Sequence, residues 1–167
     1  GQENVIRAPT HEDNSVDVAA LEQAAEESIS LGRRIATIVA TLGATDSFGL
    51  DDLHAIHALR ERLVQRHGLD YRPHIHADSV IGWAWSAFGG YDFDANPLEF
   101  RARTLRALAA AWNRIRHLKL ADSLGVDFHK TAFAPYISSL FLVRDRRDLE
   151  KLARPRGDAP YLFHQGE

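Results

Sequence analysis

Seven consecutive residues, Ile35-Ala36-Thr37-Ile38-Val39-Ala40-Thr41, are β-branched or small and almost wholly apolar. Such a run lacks the alternation of a half-solvated strand. It predicts a strand buried on both faces, as in a parallel sheet covered by helices. The flanking segments switch period in a regular way. Upstream, Val5-Ile6 reads as a short strand. Asp17 then caps a helix, because its carboxylate can accept the orphan amides of the first turn. That helix gathers Leu21, Ala24, Ala25, Ser28 and Ile29 on one face and stops at Gly32. Downstream, residues 42–50 form a loop to Asp51, read as a second cap. The next helix gathers Leu53, Ile56, Leu59, Leu63 and Val64 and ends at Gly68. His74 to Asp78 is again a strand. This β-α-β-α-β order predicts an α/β fold with parallel strands.

The remaining segments continue the pattern. Ile81 to Phe88 is apolar and aromatic, and Tyr91 to Phe100 reads as a loop. Thr104 to Leu120 is a strong helix with arginines on its outer face. Ser123 to Phe128 and Ile137 to Val143 read as strands, and Arg146 to Ala153 as a short helix. The 167 residues suffice for one domain with a real core. A net charge of −3 offers no basic excess for nucleic acid or an anionic membrane surface. No apolar run approaches the roughly 20 residues that cross a bilayer. With no cysteine there is no disulfide, thiolate nucleophile or cysteine metal site. That composition fits a cytoplasmic protein. The chain opens directly into a strand-like run and carries no methionine, so it reads as an internal piece of a longer protein.

In open α/β sheets, ligands sit at the carboxyl ends of strands. Asp78 and Lys130 fall at such ends, as does the loop from Thr41 to Thr45. One amine and one carboxylate so placed are what an enzyme needs to hold a pyridoxal phosphate ring. The lysine forms the Schiff base and the aspartate keeps the pyridine nitrogen protonated. A rival reading starts from His74-Ile75-His76. Residues i and i+2 share a face of a strand, so two imidazoles and Asp78 could bind one metal. Against it, a (β/α)₈ barrel of the type that uses such strands needs about 250 residues, and no second histidine-rich strand end supplies further ligands. The site reading therefore assigns no metal. Trp83, Trp85, Phe88 and Tyr91 read as core or interface, since no basic residues interleave with them. Gly43, Gly49, Gly89 and Gly90 form no phosphate-cradling fingerprint.

Four short segments in order then point to a family. They are Ala40-Thr41-Leu42-Gly43-Ala44-Thr45 with Gly49-Leu50-Asp51; His76-Ala77-Asp78-Ser79-Val80; Ala121-Asp122-Ser123 through Asp127-Phe128-His129-Lys130; and Phe133-Ala134-Pro135-Tyr136-Ile137-Ser138-Ser139. Together they resemble the group II pyridoxal-phosphate-dependent amino-acid decarboxylases, over essentially the whole chain. The resemblance implies a partial large domain of the fold-type I enzymes, with a mostly parallel sheet covered by helices. Residues 1–167 would be an internal part of that domain. The phosphate-binding loop and ring-stacking partner would lie upstream, and the small domain and protonating loop downstream.

It further implies decarboxylation of an L-amino acid through a Schiff base on Lys130. Asp78 would pair with the pyridine nitrogen, His129 would lie near the phosphate, Thr45 would touch the ring edge, and Val80 would pack on the ring. The implied assembly is a homodimer with active sites at the subunit interface. Ala44 departs from the family's usual threonine, and Ser79 and Val80 from its two alanines. An aldehyde-lyase or oxidative deaminase on the same scaffold stays open, as does a catalytically silent interaction module. The identity of the amino acid is not written in these residues.

Overall fold

The computed structural model describes residues 4–152. Four strands form one sheet in the order β1 (Thr37–Thr41), β2 (His74–Asp78), β3 (Ser123–Asp127) and β4 (Ser139–Val143). The first three run parallel and β4 is antiparallel to β3. Helix α1 (Val18–Ser30) precedes β1, and α2 (Leu53–His67) connects β1 to β2. A 3-10 segment (Gly82–Gly90), α3 (Ala102–Ile115) and a 3-10 turn (Leu118–Leu120) connect β2 to β3. One helical turn, α4 (Phe128–Thr131), follows β3, and α5 (Arg146–Leu152) follows β4.

Local chemistry sets the helix ends. Asp17 Oδ1 accepts the amides of Ala19 and Ala20 at 2.9 and 3.1 Å. Gly32 takes a left-handed φ of 71° just beyond α1, where a side chain would be strained. The cap of α2 is Asp52, not Asp51, and accepts the amide of Ala55 at 3.0 Å. Asp51 is instead buried. Its two oxygens take the amides of Val16 and Thr41, each at 2.6 Å, and so tie the amino-terminal arm to the end of β1. Burial pushes its carboxyl above the usual range, against the pull of those two amides.

The core lies on one side of the sheet. Leu53, Ile56, Leu59 and Leu63 of α2 are fully buried, together with Ile75 and Ala77 of β2 and Ala40 of β1. Burying side chains of this size stabilises by about 1.5–3 kcal/mol each. At the amino ends of the strands, Asp122 Oδ2 accepts the amide of Ile75 at 2.9 Å and a guanidinium bond from Arg60. Arg144 Nε lies 3.7 Å from the other oxygen. The Arg60 side chain is 3% exposed, so its charge is sealed in the fold and depends on Asp122 and on Glu61, 3.0 Å from its Nε. Removing one partner of such a pair costs about 3–5 kcal/mol.

Several expectations are corrected. Val5-Ile6 forms no strand. The pair is exposed and lies in no strand, and the amino-terminal arm pairs with itself through a Thr10–Val16 bridge instead. The apolar run at β1 is buried on one face only. Ile38 and Ala40 point into the core, but Val39 is 59% exposed, because the core-forming helices lie on the opposite side. The helix expected to reach Leu120 stops at Ile115, and a 3-10 turn carries Leu118 and Leu120 back toward the core. The last strand starts at Ser139 rather than Ile137. Ala153, the expected end of the last helix, lies outside the described residues.

Candidate active site

The pleat sorts the sheet residues onto two faces. Opposite the helical core, β2 presents His74, His76 and Asp78, and β3 presents Ser123, Gly125 and Asp127. The register aligns Thr41, Asp78, Gly125 and Phe141 in one row across all four strands. Asp78 is thus the last residue of its strand, flanked by a glycine on the next one. Asp78 Oδ1 is sealed from solvent and has no hydrogen-bond partner. A buried polar atom left so costs about 1–3 kcal/mol, which makes it a place where a cationic N–H donor would gain most. A second such atom, Thr131 Oγ1, lies in the turn that carries Lys130.

Gly125 leaves the sheet bare beside Asp78. A methyl group there would meet only Val80 Cγ1, at an ordinary 3.7 Å. The patch is therefore open to a flat group lying on the strand, with Val80 at its border. The loops above it are held together. Ser79 is fully buried, and its hydroxyl donates to the Gly125 carbonyl at 2.7 Å. Gly43, at φ 105°, approaches Gly82 so closely that a Cβ would sit 2.5 Å from the Gly82 nitrogen. The Gly82 amide donates to the Leu42 carbonyl at 3.0 Å. Only glycine permits that approach, and it fixes the Thr45 loop beside the exit of β2. Thr45 itself is exposed in its turn.

Lys130 sits one helical turn beyond β3. Its Nζ lies 2.9 Å from Asp127 Oδ2. The hydroxyl of Ser139 donates to Asp127 Oδ1 at 2.5 Å. That bond, and then the lysine, hold the Asp127 carboxyl below the usual carboxylate range. His129 Nδ1 is engaged by the Ser138 main chain, 3.0 Å from its carbonyl and 3.3 Å from its amide. Its ring meets Tyr136 edge-on at 4.8 Å. Trp83 donates from Nε1 to the Asp127 carbonyl at 3.1 Å and packs edge-on against Phe128 at 5.0 Å. The aromatic stretch read as core thus reaches from the end of β2 to the lysine turn. Phe88, Tyr91, Phe93 and Phe100 continue it as a cluster under α3.

The two strand histidines are otherwise committed. His74 Nε2 and His76 Nδ1 both lie 2.8 Å from Ser123 Oγ. A hydroxyl has one proton, so it donates to one ring and accepts from the other. Burial holds the His76 imidazole below its usual pKa, opposed by the nearby Asp78 charge. Among the described residues no group of three histidine, aspartate or glutamate side chains could hold a metal ion.

The structure therefore brings Asp78, Val80 and Lys130 to the carboxyl ends of adjacent strands, with the Thr45 loop beside them and His129 turned to Ser138. The sequence reading missed Asp127, Ser139, Trp83 and Gly125 as parts of this arrangement. Asp127 was visible in the motif ending at Lys130. Ser139 was not, because an antiparallel register cannot be read from the motif.

No family model matches the chain. L-2,4-diaminobutyrate decarboxylase of Acinetobacter baumannii is 28% identical over 145 residues, 87% of this chain and 23% of the relative. L-tyrosine decarboxylase of Enterococcus faecalis is 25% identical over 189 residues, 99% of this chain and 28% of the relative. The chain spans about a quarter of the length of such curated relatives. Among solved structures, mouse CSAD matches with a TM-score of 0.60 and 25% identity, over 89% of this chain and 26% of that one. Oryza sativa TDC, solved with PLP and tryptamine, matches at 0.67 and 18% identity, over 96% and 29%. The fold is accordingly that of a segment of the fold-type I enzymes.

Proposed function

We propose that this chain, a relative of the group II pyridoxal-phosphate-dependent amino-acid decarboxylases, is the lysine-bearing part of such an enzyme's cofactor-binding large domain. The observation that carries the reading is the sealed, donorless Oδ1 of Asp78, beside the bare patch at Gly125 and one strand from Lys130. Asp78 and Lys130 would hold the cofactor, with Val80 against its ring, Thr45 at the ring edge and His129 toward the phosphate. When bound, pyridoxal phosphate supplies the electron sink that lets the bond between Cα and the carboxylate break.

The residues of this chain have separate tasks in that reading. Lys130 provides the amine that anchors the cofactor covalently. Asp78 provides a fixed negative charge for the heterocyclic nitrogen, because an adjacent anion favours the protonated form. With charges about 4 Å apart, such a contact is worth about 4 kcal/mol near a protein surface, against about 1 in water. Asp51 and the Gly43–Gly82 contact hold the loop that brings Thr45 to the site. The substrate in this reading is an L-amino acid, as the names of the relatives suggest for them. The reading includes a homodimer, for which Phe133, Tyr136 and Ile137, exposed close to Lys130 in the chain, offer an apolar surface. It also includes a cytoplasmic location, with which the absence of cysteine agrees.

The test uses the full-length protein loaded with pyridoxal phosphate and a panel of amino acids. Wild type is expected to show visible absorbance and to release CO₂ from one of them. Lys130→Ala is expected to lose both. A borohydride-trapped cofactor adduct at full stoichiometry in Lys130→Ala would falsify the assignment. Aldehyde in place of CO₂ would move the enzyme to the lyase branch of the same scaffold.

A further inference from the structure

The amine of Lys130 has a partner of its own. Asp127 Oδ2 lies 2.9 Å from it, and the carboxylate is only 15% exposed. Asp127 cannot swing freely, because Ser139 binds its other oxygen at 2.5 Å. Ser139 is also its direct partner across the antiparallel β3–β4 pair, so the brace is built into the sheet register. Asp127 and Gly125 are two residues apart on one strand and therefore share a face. The carboxylate thus stands on the Asp78 side of the sheet, one pleat beyond the bare patch.

The consequence is chemical. A lysine amine attacks a carbonyl through its nitrogen lone pair, so an amine docked on a carboxylate must leave that partner before it can react. His129 Nε2 faces the same oxygen from 3.9 Å and is a weaker competitor for it than Lys130. Trp83 meets Asp127 only through the main-chain carbonyl. Among the described contacts, the side chain of Asp127 thus serves the lysine, the adjacent histidine and Ser139.

We propose that Asp127, braced by Ser139, is the resting partner of the Lys130 amine: it docks the amine by an ion pair on the open face of the sheet whenever Lys130 is not covalently engaged. Asp127 is then a positioning residue that restrains the reactivity of the lysine and keeps it within reach of the site. This rests on the reading of Lys130 as the Schiff-base lysine.

The test measures the lysine without relying on turnover. Full-length protein freed of cofactor is treated with trace acetic anhydride at one mildly alkaline pH. Acetylation of Lys130 is then read by mass spectrometry against Lys119, an exposed lysine in the same digest. Asp127→Asn, with folding checked by circular dichroism and melting, is expected to raise the Lys130 to Lys119 ratio several-fold. Ser139→Ala is expected to raise it less, and Asp127→Glu to return it toward wild type. An unchanged ratio in folded Asp127→Asn overturns the proposal. If that variant does not fold, an unchanged ratio in Ser139→Ala does so. Borohydride reduction after adding pyridoxal phosphate separates the two levels. A reduced adduct on Lys130 with an unmoved ratio removes the resting role and leaves the functional reading standing. A shifted ratio with no adduct on Lys130 sustains the ion pair and removes the functional reading.

Discussion

The two faces of the sheet are built on opposite rules. Toward α2 the strands offer Ile38, Ala40, Ile75 and Ala77, packed on leucines and isoleucines with almost no exposure. On the other face they offer His74, His76 and Ser123, joined by hydrogen bonds, Asp127, paired with Lys130, and Asp78. The first face gains its stability from area removed from water, which is tolerant of detail. The second depends on the placement of a few polar atoms, and one of them has no partner at all. Apolar packing and polar placement are thereby divided between alternate residues of the same strands.

Substitutions on each face should separate the two properties. Leu59→Ala, at a fully buried position, is expected to cost about 2–5 kcal/mol of stability. Denaturant unfolding checks this, and cofactor binding by the surviving folded fraction should be unchanged. Asp78→Ala should do the reverse. Loss of one preorganised charge lowers turnover by about 10²–10³-fold, while the melting temperature holds or rises, because an orphaned buried oxygen is removed. A large drop in melting temperature there would break the division.

Gly125→Ala is a finer probe. Its methyl group finds ordinary contact, and alanine in place of glycine within a strand stabilises by about 0.5–1 kcal/mol. Yet the methyl group fills the patch beside Asp78, so cofactor affinity measured by titration should fall. The smallest effect concerns pH. The folded pKa of His76 lies below its ordinary 6.5, so the unfolded chain takes up the proton first. Its contribution to stability is whole above about 6.5 and is lost as pH falls toward the folded value. His57 and His117 shift the same way. His76→Gln should therefore flatten the acid side of the stability curve only in part.

How much of this was legible in the sequence also divides by face. The packed side was read well, because a helix of period 3.6 ending at Gly68 and the apolar strand at Ile35–Thr41 leave few alternatives. The same run misled at Val39. Apolarity says that a residue can be buried, not that this stretch of chain supplies the cover. Asp51 was taken for a cap because a cap and a buried staple look alike until a distant amide, here that of Val16, arrives beside it. Asp78 and Lys130 were singled out from strand ends and motif order, and the structure puts the one at the end of β2 and the other in the turn after β3. Their neighbours were not, since Ser139 reaches Asp127 through strand pairing and Trp83 reaches it through a tertiary hydrogen bond.

That last bond gives the protein an optical handle. The indole of Trp83 donates its N–H to the residue that holds Lys130 and rests on the ring of Phe128. Its emission should therefore respond to rearrangement of the lysine turn. These 167 residues hold three tryptophans, and replacing Trp85 and Trp112 by phenylalanine would leave Trp83 as the one indole among them. Quenching or a wavelength shift would then follow the engagement of Lys130 in real time, with no added label.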